Sequence, residues 1–227
     1  GYAAPPLVIS TLPSSAASVG GLPVTVLGTG FAPGASVLFC NSYSGDAGCV
    51  GADQAGVVVH EDGQGIDLIA PGHAPGTTDV VVVNPDGQVS VDPQSFVFNP
   101  LPTVGSVFPT EISTLGGDTL TVNGGGFQVG ADVWVGGVPC AGVSVPATDQ
   151  LICVTPAGAP GLADVVVTNP DSGQATGVGI VELVAPPLLL GVNPTAGAES
   201  GDTQVTLTGT GFVAGSPKSA VFFGGVE

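Results

Sequence analysis

Gly28-Thr29-Gly30-Phe31 is followed 96 residues later by Gly124-Gly125-Gly126-Phe127 and, after a further 85, by Gly209-Thr210-Gly211-Phe212. Self-similarity at a fixed spacing marks a repeat protein, so it decides the fold before local propensities are weighed. Upstream, Pro13, Pro109 and Pro194 return at the same offsets. Each leads through a glycine-containing turn into an alternating segment: Pro23-Val-Thr-Val-Leu27, Thr119-Leu-Thr-Val-Asn123 and Gln204-Val-Thr-Leu-Thr208. Downstream, Asp79-Val-Val-Val-Val-Asn84-Pro85-Asp86-Gly87 matches Asp164-Val-Val-Val-Thr-Asn169-Pro170-Asp171-Ser172-Gly173, and the sequence holds no third copy of this segment. From the Phe of the glycine motif to the first Asp of this segment is 48 residues in the first copy and 37 in the second. The first repeat therefore carries an insertion of eleven residues, placed between Asn41 and Gly65.

Apolar residues alternate with a period of two, the pattern of half-buried strands, and helical periodicity is absent. With 38 glycines and 21 prolines in a chain that is still 43% apolar, the composition predicts many short strands joined by turns, not disorder. Boundaries fall at Asn99-Pro100-Leu101-Pro102 and Ala185-Pro186-Pro187, where proline fixes φ and stiffens a short linker. Residues 1–99 and 100–185 are read as complete repeats, and 186–227 as the N-terminal half of a third. Three strands cannot enclose a core, so Val205, Leu207, Phe212, Val221 and Phe223 are expected to lack a facing layer. The expectation is that the natural chain continues beyond Glu227; strand addition by another subunit is the alternative. Gly1 is either the start of a mature protein after leader removal or an arbitrary boundary.

Lys218 is the single cation of the 227 residues, against eighteen acids, for a formal charge of −17. That excludes ordinary nucleic-acid binding, which needs cationic side chains to displace counterions, and a polybasic route to anionic membranes. No segment reads as a membrane span: the apolar stretch from Leu183 to Val192 is short and carries Pro186 and Pro187. The cysteines form two close pairs, Cys40 with Cys49 and Cys140 with Cys153, in keeping with an oxidising compartment. Zinc is the weaker reading, because neither pair has two-residue spacing and the only histidines, His60 and His73, lie near one of them.

The order of an N-terminal strand with Pro, an alternating strand, Gly-x-Gly-Phe, Val-x-Val-Gly-Gly, a Cys or Thr-Pro segment and Asp-Val-x-Val-x-Asn-Pro-Asp-Gly resembles the IPT/TIG family of immunoglobulin-like domains. The second repeat carries almost all of it: Gly124 to Phe127, Val133-Trp-Val-Gly-Gly137, Val138-Pro-Cys140, Leu151-Ile-Cys-Val-Thr-Pro156 and Asp164 to Gly173. The first departs at Cys40, where the second has Gly136, and the third stops at Val221-Phe-Phe-Gly-Gly225-Val-Glu227. The resemblance implies an all-β chain of tandem immunoglobulin-like β-sandwiches, the third incomplete. It also implies that Cys140 and Cys153 lie where the family's cysteine pair often bridges. It does not specify a function, since such domains serve as receptor modules, adhesin stalks, enzyme accessory domains and parts of transcription factors.

Strand parity places Val37 and Phe39, Val133 and Val135, and Val221 and Phe223 inward. Leu38, Trp134 and Phe222 then face outward, together with Val81, Val83 and Val166 of the partner strand. An apolar outer face on successive repeats predicts a contact surface for self-association or for neighbouring subunits. Covering by loops or a one-residue register error is the competing account. Disulfides are read as staples, and the Cys40 to Cys49 pair stiffens the inserted loop and makes Tyr43 a candidate contact residue.

No catalytic site is legible. There is no Gly-x-Ser-x-Gly turn, His60 beside Glu61 and Asp62 reads as an exposed turn histidine, and the Gly-x-Gly-Phe motifs lie between strands with no helix or P-loop lysine behind them. Their glycines are expected to permit a positive φ or a bulge at a sandwich corner. Calcium is weighed against the turns Asn84-Pro85-Asp86 and Asn169-Pro170-Asp171 and the acids Glu61, Asp62 and Asp67, and Asx-stabilised turns are preferred. The sequence thus predicts a non-catalytic, cofactor-free extracellular or cell-surface structural protein: a stalk, adhesin segment or self-assembling fibre of a microbial surface. The alternative is a carbohydrate-binding accessory segment of a secreted glycan-active enzyme, with Trp134 and Tyr43 as stacking residues and a glycan as partner.

Overall fold

A computed structural model describes residues 4–45, 48–212 and 221–223. The first repeat forms β1 (Leu7–Leu12), β2 (Ser15–Ala17), β3 (Pro23–Thr29), β4 (Ser36–Cys40), β5 (Cys49–Gly51), β6 (Val58–Val59), β7 (Gly65–Ile69), β8 (Gly76–Val83) and β9 (Val89–Asn99), with one 3-10 turn at Gln54–Gly56. The second forms β10 (Thr103–Phe108), β11 (Glu111–Ser113), β12 (Thr119–Gly125), β13 (Asp132–Val135), β14 (Val138–Pro139), β15 (Ala141–Ala147), β16 (Gln150–Val154), β17 (Gly161–Thr168) and β18 (Gln174–Val184). The third contributes β19 (Leu188–Asn193) and β20 (Thr206–Thr210), which pair as a two-stranded sheet.

Each complete repeat is a sandwich of a four-stranded and a five-stranded sheet. The orders β1-β3-β7-β6 and β2-β9-β8-β4-β5 recur position for position as β10-β12-β16-β15 and β11-β18-β17-β13-β14. At Pro13 and Pro109 the opening strand leaves the first sheet and joins the second, where β2 and β11 pair parallel to β9 and β18. Cis peptide bonds precede Pro13, Pro109 and Pro194.

Alternation is expressed as expected. Val24, Val26, Val37, Phe39, Val80 and Val82 line the first core with Phe96 and Phe98, whose rings pack 5.0 to 5.4 Å from each other and from Phe39. Leu120, Val122, Val133, Val135, Val165 and Val167 line the second. Burying a large apolar side chain of this kind contributes about 1.5–3 kcal/mol.

The repeated Gly-x-Gly-Phe motif has a steric cause. A Cβ on Gly28, Gly124 or Gly209 would overlap the carbonyl of Leu7, Thr103 or Leu188 on the facing strand and the ring of the motif's own Phe. The second glycine takes φ near 70° in all three copies (71°, 70° and 73°), a region L side chains rarely occupy. Opposite the motif each opening strand bulges by one residue, at Ile9, Gly105 and Leu190. The corner lets Phe31 and Phe127 close the ends of their cores at 4% and 2% exposure, whereas Phe212 is 45% exposed. In the third repeat Val205 and Leu207 are half-buried, and Val221, Phe222 and Phe223 are all exposed. The expected contrast between inward Val221 and Phe223 and outward Phe222 is therefore not expressed, because no second sheet faces them among the described residues.

Candidate interaction surfaces

The turns following β8 and β17 tie each repeat together and join the first repeat to the second. Asn84 accepts from the Ala32 N–H at 3.0 Å and donates to the Gly30 carbonyl at 2.8 Å; Asn169 does the same with Gln128 and Gly126, at 3.1 and 2.8 Å. Both are buried, and both satisfy backbone groups that the glycine corner leaves unpaired. The following aspartates make the expected Asx turns: Asp86 Oδ1 accepts from the Gln88 N–H and Asp171 Oδ1 from the Gly173 N–H.

Asp171 does more than its counterpart. Its Oδ2 accepts from Asn99 Nδ2 of the first repeat at 2.9 Å and from Gln128 Nε2 of its own, and its carbonyl accepts from the Ala17 N–H at 3.0 Å. Gly173 lies so near Pro102 and Ala17 that a Cβ there would press on both. Asp171 is 3% exposed, while Asp86 at the opposite pole of the first repeat is exposed. Sequence reasoning saw only the Asx turn, because the partners Ala17 and Asn99 lie 154 and 72 residues away in the chain.

The expected contact face divides. Trp134 is exposed between Val166 on β17 and Pro139 on β14, Phe222 is exposed, and Leu38, Val83 and Val166 are half-buried. Val81 is fully buried and is removed from the surface: it lies on an interior strand with Leu38 and Val91 directly beside it on either side. Missed by the sequence reading is a second apolar face, on the four-stranded sheet, where Ile9, Leu12, Leu27 and Ile69 are exposed. Its signal was available, since the parity that buries Val24 and Val26 turns Leu27 outward.

Cys40 and Cys49 are bonded across the β4–β5 pair, with Cα atoms 4.2 Å apart. Tyr43, half-buried in the loop they close, donates its N–H to Asp79 Oδ2 at 2.8 Å, and the Gln94 N–H donates to Oδ1 at 2.8 Å. These donors, Tyr43 first, hold the Asp79 carboxyl below the ordinary carboxylate value. Cys140 and Cys153, expected as a second bridge, are free thiols that neighbour each other. That contact holds Cys140 below the usual thiol value, while the same neighbour and burial push Cys153 up.

His60 pairs with Asp67 and not with its sequence neighbours: Nε2 lies 3.0 Å from Asp67 Oδ2, and Asp67 Oδ1 accepts from the Thr25 hydroxyl at 2.7 Å. Asp62 is engaged in an Asx turn with the Gln64 N–H. Among the described residues no group of three His, Cys, Asp or Glu side chains is arranged to hold a metal ion, and no helix is long and apolar enough to cross a membrane.

A profile of the IPT/TIG domain matches residues 102–181 and 187–227. Fibrocystin-L of Homo sapiens is 33% identical over 112 residues, 49% of this chain and 3% of that protein; Fibrocystin-L of Mus musculus is 31% identical over 159 residues, 67% of this chain and 4% of that one. The chain thus spans only a few per cent of the length of these relatives. Among solved structures, the full extracellular region of plexin A4 superposes over 90% of this chain and 18% of its own, with a TM-score of 0.55 at 18% identity.

Proposed function

The chain belongs to the IPT/TIG domain family, and on that premise we propose that it is a non-catalytic extracellular structural and interaction protein. Its immunoglobulin-like modules stand end to end as a stalk, adhesin segment or fibre of a microbial cell surface. The observation that carries this reading is the joint at Asp171. A buried carboxylate spanning two repeats, backed by a backbone bond from Ala17, favours a fixed inter-module angle over a flexible string. Long, stiff presentation of surfaces is what a stalk requires. A sequence with one basic residue also offers trypsin-like proteases almost nothing to cut, which suits prolonged exposure outside the cell. In that setting the adjacent thiols of Cys140 and Cys153 close into a second bridge.

Apolar outer faces, with Trp134 on the five-stranded sheet and Ile9, Leu27 and Ile69 on the four-stranded one, are the surfaces for self-association or neighbouring subunits. Electron microscopy of native material, with sedimentation across concentration, tests the reading: rods or filaments and concentration-dependent assembly are expected, and a compact, strictly monomeric particle would overturn it. Exposure of the Trp134 ring keeps one rival, a carbohydrate-binding accessory segment. Saturable binding on a glycan array that Trp134→Ala abolishes would favour the rival. Assembly lost in the same variant would favour the fibre.

A further inference from the structure

Asp79 and Asp164 occupy the same place in their repeats. Each stands at a bulge, where the β8–β9 register shifts between Thr78 and Val80 and the β17–β18 register between Ala163 and Val165. Each accepts at Oδ1 from the N–H of a residue with positive φ across the bulge: Gln94 (51°) at 2.8 Å and Gly179 (59°) at 2.7 Å. The repeats differ at the other oxygen. In the first, Tyr43, shortly after β4, donates its N–H to Asp79 Oδ2, and Asp79 is buried. In the second, the chain reverses at once through Gly136 and Gly137, both at positive φ, into β14. Among the described residues no loop donates to the Asp164 Oδ2. Asp164 is exposed, and it borders an open groove of about 590 Å³ between the Gly137-Val138 turn and the Gly158-Ala159-Pro160 segment.

We propose that this groove is a docking site for a loop of a partner polypeptide, which sets a backbone N–H on Asp164 Oδ2 as Tyr43 does on Asp79. The proposal rests on reading the chain as an interaction module. Its template is internal, since the first repeat already fills the equivalent position with a loop of this kind. A polypeptide fits the lining better than a sugar does: Asp164 is the one polar side chain among glycines, Ala159, Pro160, valines and leucines, whereas a sugar needs several polar partners. Water competes for an exposed carboxylate, so affinity comes from covering Leu162 and Val138, and the carboxylate sets the register. A partner neutral or basic beside its donor is required, because the chain itself carries −17.

The test titrates the full, ¹⁵N-labelled chain with a disulfide-closed decapeptide having the sequence of residues 40–49 with Asp46→Asn. Saturable shifts are expected at the Gly136, Gly158 and Gly179 amides. Asp164→Asn keeps an amide oxygen for the Gly179 N–H but turns an NH₂ donor toward the groove. It is expected to weaken binding at least about tenfold, the equivalent of 1.4 kcal/mol, with an unchanged melting temperature. The proposal falls if no saturable shift appears at those amides, or if Asp164→Asn binds equally well. It also falls if cellotetraose gives saturable shifts there and the peptide none. Such a failure leaves the stalk reading standing, because that reading rests on the Asp171 joint and is judged by particle shape.

Discussion

The first and second repeats share a nine-strand plan and differ in how they finish the same polar positions. Asp171 is buried and bonded into the neighbouring repeat, whereas Asp86 is exposed and reaches only the Gln88 N–H. Asp79 is buried and accepts from the Tyr43 N–H, whereas Asp164 is open. Cys40 is bridged, and Cys140 is a free thiol. Framework positions (the glycine corner, its Phe, the clamping Asn) are invariant between the two because each solves a steric or hydrogen-bonding problem internal to the sandwich. Positions at the poles and loop ends are free to be spent on contacts, and there the two repeats diverge.

The largest effect that would break this equivalence lies at the motif phenylalanine. Phe31→Ala and Phe127→Ala should each cost about 3–5 kcal/mol of their repeat's stability, and Phe212→Ala less than about 1 kcal/mol, measured by denaturant unfolding. Equal costs at Phe127 and Phe212 would contradict the assignment of an enclosed core around Phe127 and none around Phe212. Next comes the bridge. Reducing the Cys40–Cys49 bond, which closes about ten residues, should weaken the first repeat by roughly 2.7 kcal/mol on the loop-entropy estimate. Intact mass in oxidising buffer should fall by two further hydrogens as Cys140 and Cys153 join.

Asn84→Ala and Asn169→Ala should cost about 1–2 kcal/mol each, since each leaves a part-buried N–H and a carbonyl without the side-chain partner. Asp171→Ala and Asp86→Ala should separate. About 1 kcal/mol is lost with the former, together with the coupling between the repeats, and less than about 0.5 kcal/mol with the latter.

The smallest effect is on pH. Folding holds Asp79 below its ordinary value, so its stabilisation is complete above the unfolded carboxylate value of about 3.9 and fades as pH falls through the lower folded value. Asp67, held down by the Thr25 hydroxyl first and by His60 second, behaves the same way but more weakly because it is exposed. Acidification should therefore shift the Tyr43 and Gln94 amide resonances before the melting temperature of the second repeat changes.

Much of the sandwich was legible because its causes are local. Alternation of Val24 and Val26 or Val133 and Val135 sets the buried face, and the spacing of glycine to Phe sets the corner. What was not legible depends on groups distant in sequence. Val81 disappears from the surface because Leu38 and Val91 flank it. Asn169 looks like a turn residue until Gly126 and Gln128, more than 40 residues earlier, are found against it. Asp171 reveals its role only beside Ala17 and Asn99. The cysteine spacing predicted two bridges, of which Cys40–Cys49 is formed; the other pair is adjacent, and adjacency is all that spacing can indicate.

The central claim, that the first two repeats are held at one fixed angle by the Asp171 joint, is tested most directly by residual dipolar couplings on the full chain. Amide couplings from residues 7–99 and 103–184 should fit one alignment tensor, and Asp171→Ala should split them into two of different magnitude. Separate tensors in the unaltered protein would contradict the account.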